Sequence, residues 1–386
     1  MKMTMSVIGC GYLGATHAAY MAELGHEALG MDAGIDKVHA PQRQQGTLLG
    51  CDLDGSLAKH TASGQLRFHC LLRRGRRVRQ PALHPGRHPQ QPGADAYDST
   101  PLRESFAVDD TLRPDRRVLG FNSNHSWAEA ILRQAFAQII EAGTPTLITG
   151  WATAELAKGA ANSFLATKIS FINAMAEVCE KSGANAAELA NILGRDISIG
   201  WRGMRPGLGS GGCLPKDLGG FITRADELDA GEAVGMVREA GAVNARRRQR
   251  VIDLAREELG PDLRGKRITI SGAAFNPQTD DIRDSPALAV ALALHGPGAT
   301  VTVTDPEVLD NARKLHPELE YAEDPLAAVE DADLLLHLTE WHQFSTIDPR
   351  RLATRTTTSK VIDARGTLNT DQWRDAGWII RTLGSA

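Results

Sequence analysis

The start of the chain restricts its fold more than any other part. A short apolar strand, Ser6-Val7-Ile8, runs into Gly9-Cys10-Gly11-Tyr12-Leu13-Gly14, and a segment with helical spacing, Ala15 to Leu24, follows at once. In such a strand–turn–helix unit the first glycine permits the tight turn. The second lets backbone approach a pyrophosphate, and the third lets the helix pack on the strand. The helix start offers unbonded N–H groups and a partial positive charge to phosphates. Gly25 is placed to end the helix with a positive φ. A second strand, Ala28 to Met31, then ends at Asp32, whose carboxylate would accept from both ribose hydroxyls and so favours NAD over NADP. Gly9, Gly11, Tyr12, Leu13, Gly14, Asp32 and Lys37 are the expected cofactor contacts. The alternative is the same turn in an α/β sheet without a ligand.

Further along, the pattern changes twice. Leu156, Ala160, Phe164, Leu165, Ile169, Ile172, Ala176 and Cys179 recur at three- and four-residue spacing, which predicts a long helix ended by Gly183. Asn185-x-x-Glu188 reads as the capped start of another helix, and a third is expected from Glu232 to Glu258. From Lys266 onward strands and helices alternate, which implies a parallel sheet covered on both faces. The expected architecture is α/β: two Rossmann-like doubly wound domains, 1–150 and 261–386, joined by a central helical domain, 151–260. A chain of 386 residues can bury that many cores.

The stretch from His69 to Pro92 fits none of this. It carries six arginines and no acidic residue, with neither helical nor strand periodicity. It reads as a basic solvated loop, as a phosphate site, or as out-of-frame translation of a GC-rich gene. A structureless loop of ~20 residues is unusual inside a compact domain, so the N-terminal sheet is expected to be incomplete. Elsewhere a single helix is expected from Trp127 to Ala142, and a strand at Thr146-Leu147-Ile148.

Bulk properties exclude several classes. The formal net charge of −4 supplies no field for nucleic acid or an acidic membrane. No apolar run approaches the ~18–20 residues of a membrane span, and the first residues do not resemble a signal peptide. Five scattered cysteines suit neither a disulfide framework nor a metal site, and they fit a reducing cytoplasm.

Two segments can carry chemistry. In the long helix Lys158 and Asn162 stand four residues apart, hence on one face, among small residues that leave room for a substrate. Taken alone, this is also what a solvated polar face looks like. The second segment is Gly207-Leu208-Gly209-Ser210-Gly211-Gly212-Cys213-Leu214-Pro215-Lys216-Asp217. Its glycines let backbone approach a ligand, and a single cysteine is followed closely by a lysine and an aspartate. Nearby positive charge is what makes a thiol a nucleophilic thiolate, although a buried structural cysteine is the ordinary fate of a lone Cys.

These segments carry a resemblance. LAKGAANSFLATKISFINAMAEVCE and GGCLPKDLGGF resemble the two signature segments of the UDP-glucose 6-dehydrogenase family (UDP-glucose/GDP-mannose dehydrogenases). LRESFAVDDTLRPDRRVLG resembles the segment after its NPEF motif. SGAAFNPQTDDIRDSPAL, TVTDPEVLDNAR, LTEW and VIDARGTLN resemble its C-terminal motifs, in order. The likeness is loose over 1–68 and close over 101–386.

The resemblance implies two NAD-coupled oxidations of the C6 hydroxyl of UDP-glucose, passing through a thiohemiacetal and a thioester on Cys213. Lys158 and Asn162 would stabilise the oxyanions, and Asp217 would orient or deprotonate the water or thiol. Leu102, Arg103, Glu104, Gly209, Gly212, Arg283 and Arg365 would join Lys158 and Asn162 in holding the UDP-sugar, with a homodimer formed through the long helix. No metal is implied.

The sequence departs from the family at Thr100, Ser198 and Asn276, which stand where a glutamate, an arginine and a lysine are expected. The glycine loop is one residue shorter before Cys213, and the nicotinamide-side motifs G-T-P and STVPVGT have no counterpart. A catalytically dead nucleotide-sugar-binding homologue is therefore a second expectation. A β-hydroxyacid dehydrogenase also uses a lysine and an asparagine on a long helix, but the cysteine segment and the second α/β domain argue against it.

Overall fold

The computed structural model describes residues 2–32, 53–70, 96–98, 113–121 and 126–385. It divides into two compact units, Met1–Ala161 and Asn162–Ala386. Most of the arginine-rich stretch falls outside the described residues, as do Lys37, Thr100, Leu102, Arg103 and Glu104.

The first unit begins β1 (Thr4–Ile8), α1 (Tyr12–Glu23), β2 (Glu27–Asp32), α2 (Leu53–Ala62) and β3 (Leu66–Cys70). The three strands pair in parallel in the order β1-β2-β3, with Val7 opposite Gly30 and Gly30 opposite Phe68. Next come β4 (Ala96–Asp98), β5 (Arg117–Phe121), α3 (Ser126–Ala135), α4 (Ala137–Glu141) and β6 (Thr146–Thr149). These strands make a second sheet, β4-β5-β6, in which β4 runs antiparallel to β5. The expected incomplete sheet thus takes the form of two three-stranded sheets. Among the described residues β1 pairs on one side only. Met5, Val7, Tyr20, Met21, Leu119, Phe121, Leu132 and Phe136 share one core.

The single helix expected over 127–142 is instead two. Phe136 leaves helical geometry (φ −108°, ψ 19°) between α3 and α4. It is fully buried, and the Arg117 guanidinium stacks 3.9 Å from its ring centre. Arg117, also buried, donates to the Tyr20 hydroxyl at 2.8 Å. Packing around a buried cation outweighs uninterrupted helix here, since a desolvated cation–π contact contributes about 2 kcal/mol.

Helix α5 (Trp151–Ser182) crosses the boundary between the units. Its apolar positions Ala166, Ile172, Ala176 and Cys179 are buried as the spacing predicts. Then follow α6 (Ala186–Arg195), α7 (Cys213–Glu227), a 3₁₀ turn (Gly231–Val234) and α8 (Gly235–Leu259). Asn185 caps α6 by accepting from Ala187 and Glu188 N–H, which bears out the sequence reading. No helix among the described residues is long and apolar enough to cross a membrane.

The C-terminal strands are β7 (Arg267–Ser271), β8 (Thr300–Thr304), β9 (Glu320–Tyr321), β10 (Leu334–His337), β11 (Lys360–Asp363) and β12 (Ile379–Thr382), with α9 (Pro286–His295) between β7 and β8. They form one parallel sheet in the order β12-β11-β10-β7-β8-β9. Ile268, Ile270, Leu334 and Leu336 of its central strands are at most 1% exposed. Each such side chain contributes about 1.5–3 kcal/mol by leaving water. The strand order reverses between β7 and β10. That places a crevice at their carboxyl ends, where open α/β sheets bind ligands.

Candidate active site

The glycine turn has the expected geometry. Gly9 adopts φ +96°, and its N–H donates to the Met31 carbonyl at 2.7 Å. Gly11 caps α1 in an extended conformation, and among the described residues a Cβ there would meet no protein atom within 4 Å. A Cβ on Gly14 would collide with the Gly9 carbonyl oxygen, so close helix–strand packing requires glycine there. Tyr12 and Leu13 open the helix. Among the described residues its first turn carries no acidic residue and no side-chain cap, which suits an anion at its N–H groups. Asp32 ends β2, half-buried, and accepts from Cys10 N–H at 2.8 Å. These residues fit an NAD pyrophosphate over Gly11 and a ribose at Asp32.

In the second unit the structure brings two of the expected catalytic residues together. Asn162, 7% exposed on α5, donates through Nδ2 to Asp217 Oδ2 of α7 at 2.6 Å. Lys158, four residues earlier on α5, belongs to the first unit and is half-buried. Cys213 is the first residue of α7, directly after Gly212. The N-terminus of an α-helix is a position that favours thiolate over thiol.

The loop that leads into α7 is tied at several points. Gly207 N–H donates to Asn173 Oδ1 at 2.8 Å, and its carbonyl accepts from Arg247 Nε at 3.1 Å. Ser210 is held from both sides by Asn244: its N–H donates to Oδ1 at 2.6 Å, and its carbonyl accepts from Nδ2 at 3.1 Å. Gly212 N–H donates to the Arg283 carbonyl at 3.2 Å. Arg247 is fully buried. Burial pushes its pKa down, while Glu180, 3.8 Å away, opposes that shift.

At the crevice between β7 and β10, Arg365 reaches across both loops. Its Nε donates to the Leu338 carbonyl at 2.6 Å and lies 3.2 Å from Glu340, and Nη2 donates to the Phe275 carbonyl at 3.4 Å. Buried Asp363 fixes the turn that carries it, accepting from the N–H groups of Arg365, Gly366, Thr367 and Leu368. Arg283 differs: its side chain is 58% exposed and grips its neighbour Asp281, and its backbone is what meets Gly212.

Reading the sequence missed Asn173, Asn244 and Arg247. Asn173 lies inside the apolar stripe of α5, where a polar residue at a core position was the available signal. Asn244 and Arg247 sit in the run Asn244-Ala245-Arg246-Arg247-Arg248, which reads as solvated charge.

Comparison with known proteins places each region. Residues 3–77 match the NAD binding domain, 152–246 the central domain and 269–370 the UDP binding domain of the UDP-glucose/GDP-mannose dehydrogenase family. The chain is 32% identical to UDP-glucose 6-dehydrogenase of Rhizobium meliloti (strain 1021) over 438 residues, covering 100% of this chain and 99% of that protein. That alignment is longer than this chain, so the relative carries positions with no counterpart here. It is 33% identical over 407 residues to UDP-glucose 6-dehydrogenase AglM of Haloferax volcanii, covering 90% and 93%. A UDP-glucose dehydrogenase from the hyperthermophilic archaeon Pyrobaculum islandicum shares its fold with a TM-score of 0.85 at 26% identity, covering 100% of this chain and 98% of that one.

Proposed function

This chain belongs to the UDP-glucose/GDP-mannose dehydrogenase family and is an NAD-dependent dehydrogenase, and we propose that it oxidises the C6 hydroxyl of UDP-glucose to the carboxylate of UDP-glucuronate. The observation that carries this reading is the Asn162–Asp217 hydrogen bond, which couples the α5 segment to the helix that begins with Cys213. The three domains divide at about residues 150 and 260.

Gly9, Gly11, Tyr12, Leu13, Gly14, Asp32 and Lys37 would hold NAD, and two NAD molecules in succession would each accept one hydride from C6. Lys158 and Asn162 stabilise negative charge on the C6 oxygen as it develops, where preorganised donors help most. The Cys213 thiolate adds to the aldehyde carbon, forming a C–S bond and an oxyanion that takes up a proton. After the second oxidation that carbon is a thioester. Water cleaves it, releasing the carboxylate and a proton and restoring the thiolate, with Asp217 orienting the water.

Arg365, Arg283 and the backbone at Gly209 and Gly212 bind the nucleotide sugar, and Leu102, Arg103 and Glu104 are its further candidate contacts by resemblance. Arg365 suits this task because its guanidinium lies at the crevice between β7 and β10. Phe164, Phe171 and Val178 lie exposed at seven-residue spacing on α5 and would pair two copies of the chain.

The test has two arms. Calorimetric titration with UDP should show binding that Arg365→Ala weakens about tenfold or more, the loss of one charged hydrogen-bonding group. Cys213→Ser should abolish formation of the acid. Undiminished turnover to the acid in that variant would remove Cys213 from the mechanism. Absence of heat with UDP at millimolar concentration would remove the nucleotide-sugar assignment.

One observation favours a second reading, a nucleotide-sugar-binding protein with little turnover. Among the described residues the N-terminal strands form two separate sheets, whereas a nicotinamide site needs the second half of a continuous one. A misplacement of ~1 Å between hydride donor and acceptor costs ~10²-fold. Weak NADH formation beside intact UDP binding would select this reading.

A further inference from the structure

We propose that Asn244 is a positioning residue for Cys213, an inference that rests on Cys213 being the nucleophile. The path from Gly207 to Cys213 contains four glycines and has almost no side chains of its own with which to fix its course. Its position is imposed by partners outside it. Asn173 and Arg247 hold the start at Gly207, and the Arg283 carbonyl holds the end at Gly212. Between these anchors Asn244 clamps Ser210. One planar amide accepts from the Ser210 N–H at 2.6 Å and hydroxyl at 3.2 Å and donates to its carbonyl at 3.1 Å. Only Asn and Gln carry a neutral donor and acceptor on one such plane.

Two observations set this apart from incidental packing. Asn244 is 8% exposed, so its amide is committed to the loop and is largely shut off from water. The neighbouring Gly209 adopts φ +101°, and a Cβ there would collide with Asn244 Oδ1. The glycine is what allows the amide to close on the chain. Arg248 Nη2 reaches the same Ser210 carbonyl only at 3.4 Å, a longer and weaker hold. Ser210 stands three residues before Cys213. A shift of the clamped peptide is therefore passed to the start of α7 with little chain in which to dissipate.

The experiment uses the full chain and two variants that disturb the clamp from opposite sides. Asn244→Asp keeps size and acceptor but turns the donor into a second acceptor facing the Ser210 carbonyl. Gly209→Ala keeps Asn244 and displaces its amide. For each, the rate of Cys213 alkylation by iodoacetamide is followed across pH by peptide mass spectrometry. Alkylation needs no turnover, so it is informative whatever the activity of the parent. Alongside it, kcat and KM for UDP-glucose and the melting temperature are measured.

Both variants should alkylate Cys213 about tenfold more slowly at neutral pH, with the profile moved to higher pH. Both should lose roughly 10–100-fold in kcat, and in Asn244→Asp, whose side chain is not among the substrate contacts, KM should change by less than about twofold. A folded variant with parent-like alkylation and kcat overturns the proposal, as does a lowered melting temperature with neither rate affected. If one variant does not fold, the other decides. Acid formation by Cys213→Ser at the parent rate would instead overturn the nucleophile reading. If Cys213→Ser stops the reaction and the two clamp variants do not slow it, only the positioning role falls.

Discussion

The two parallel sheets contain the same turn, used in two ways. After β1, Gly9 has φ +96°, its N–H donates to the Met31 carbonyl, and Cys10 N–H donates to Asp32 at the end of β2. After β7, Gly272 has φ +97°, its N–H donates to the Thr304 carbonyl, and Ala273 N–H donates to Asp305 just beyond β8. The backbone solution is shared to within a degree at the glycine, and the environment of the acid is not. Asp305 is 2% exposed and also accepts from Ala274, Glu307 and Val308 N–H and from Trp341 Nε1. Asp32 is half-buried at the end of its strand. A carboxylate surrounded by protein donors ties loops together, whereas one that keeps access to solvent can receive ribose hydroxyls. The helices differ to match. α1 begins directly after Gly11, but α9 begins only at Pro286, so the second turn points no helix N-terminus at a phosphate.

The largest expected effect comes from removing the enclosed acid. Asp305→Ala strands five donors, each costing about 1–3 kcal/mol when left buried and unpaired. We expect a loss of about 4 kcal/mol or more in urea unfolding, or failure of the second unit to fold. Asp32→Ala should cost less, about 1–2 kcal/mol by the same measure, because that carboxylate is half-buried and not enclosed. Equal losses in the two variants would erase the distinction.

The next effect runs the other way. Asp32→Ala should weaken NAD about 10–100-fold in a fluorescence titration, the worth of hydrogen bonds to a charged acceptor, while Asp305 variants that fold keep NAD affinity. Gly11→Ala should act similarly but less, about tenfold. Its φ of −74° suits any residue and its Cβ would meet no atom among the described residues, so stability should change little.

The smallest effect is a pH dependence confined to the second unit. His337 is 2% exposed with Nε2 2.9 Å from the Thr367 hydroxyl. Burial pushes its pKa down, against the opposing pull of Asp363 and Glu340. A depressed folded pKa means that the unfolded chain binds the proton first on acidification. Stability is therefore complete above the ordinary histidine value of about 6.5 and falls as pH drops below it. His337→Asn should flatten the dependence of the urea midpoint between about pH 7 and 5. An unchanged slope would mean that other groups set it.

Much of the comparison was legible in the sequence because it depends on neighbours in the chain. The Gly9–Gly14 turn, the acid at Asp32, the length of α5 and the Asn185 cap all follow from spacing. Phe136 broke an expected helix because a contact with distant Arg117 outweighs local propensity. Asn244 and Arg247 escaped notice for the same reason: what makes them matter is a loop 34 and 40 residues away in sequence. The equivalence of Asp32 and Asp305 was also hidden, since Gly272-Ala273-Ala274 lacks the second and third glycines that mark the first turn.

The ties on the Gly207–Gly212 loop leave it without slack. Held at Gly207, Ser210 and Gly212, it cannot absorb a residue gained or lost within its length. A change in length can be taken up only after the last tie, at the junction with α7. The one-residue shortening before Cys213 that the family resemblance implies would have to be taken up there. A helix answers such a change as a screw does, starting one residue sooner and turning by about 100° per residue. The loop thus confines a deletion to a change of helical phase at Cys213, leaving the register of every tie before it intact.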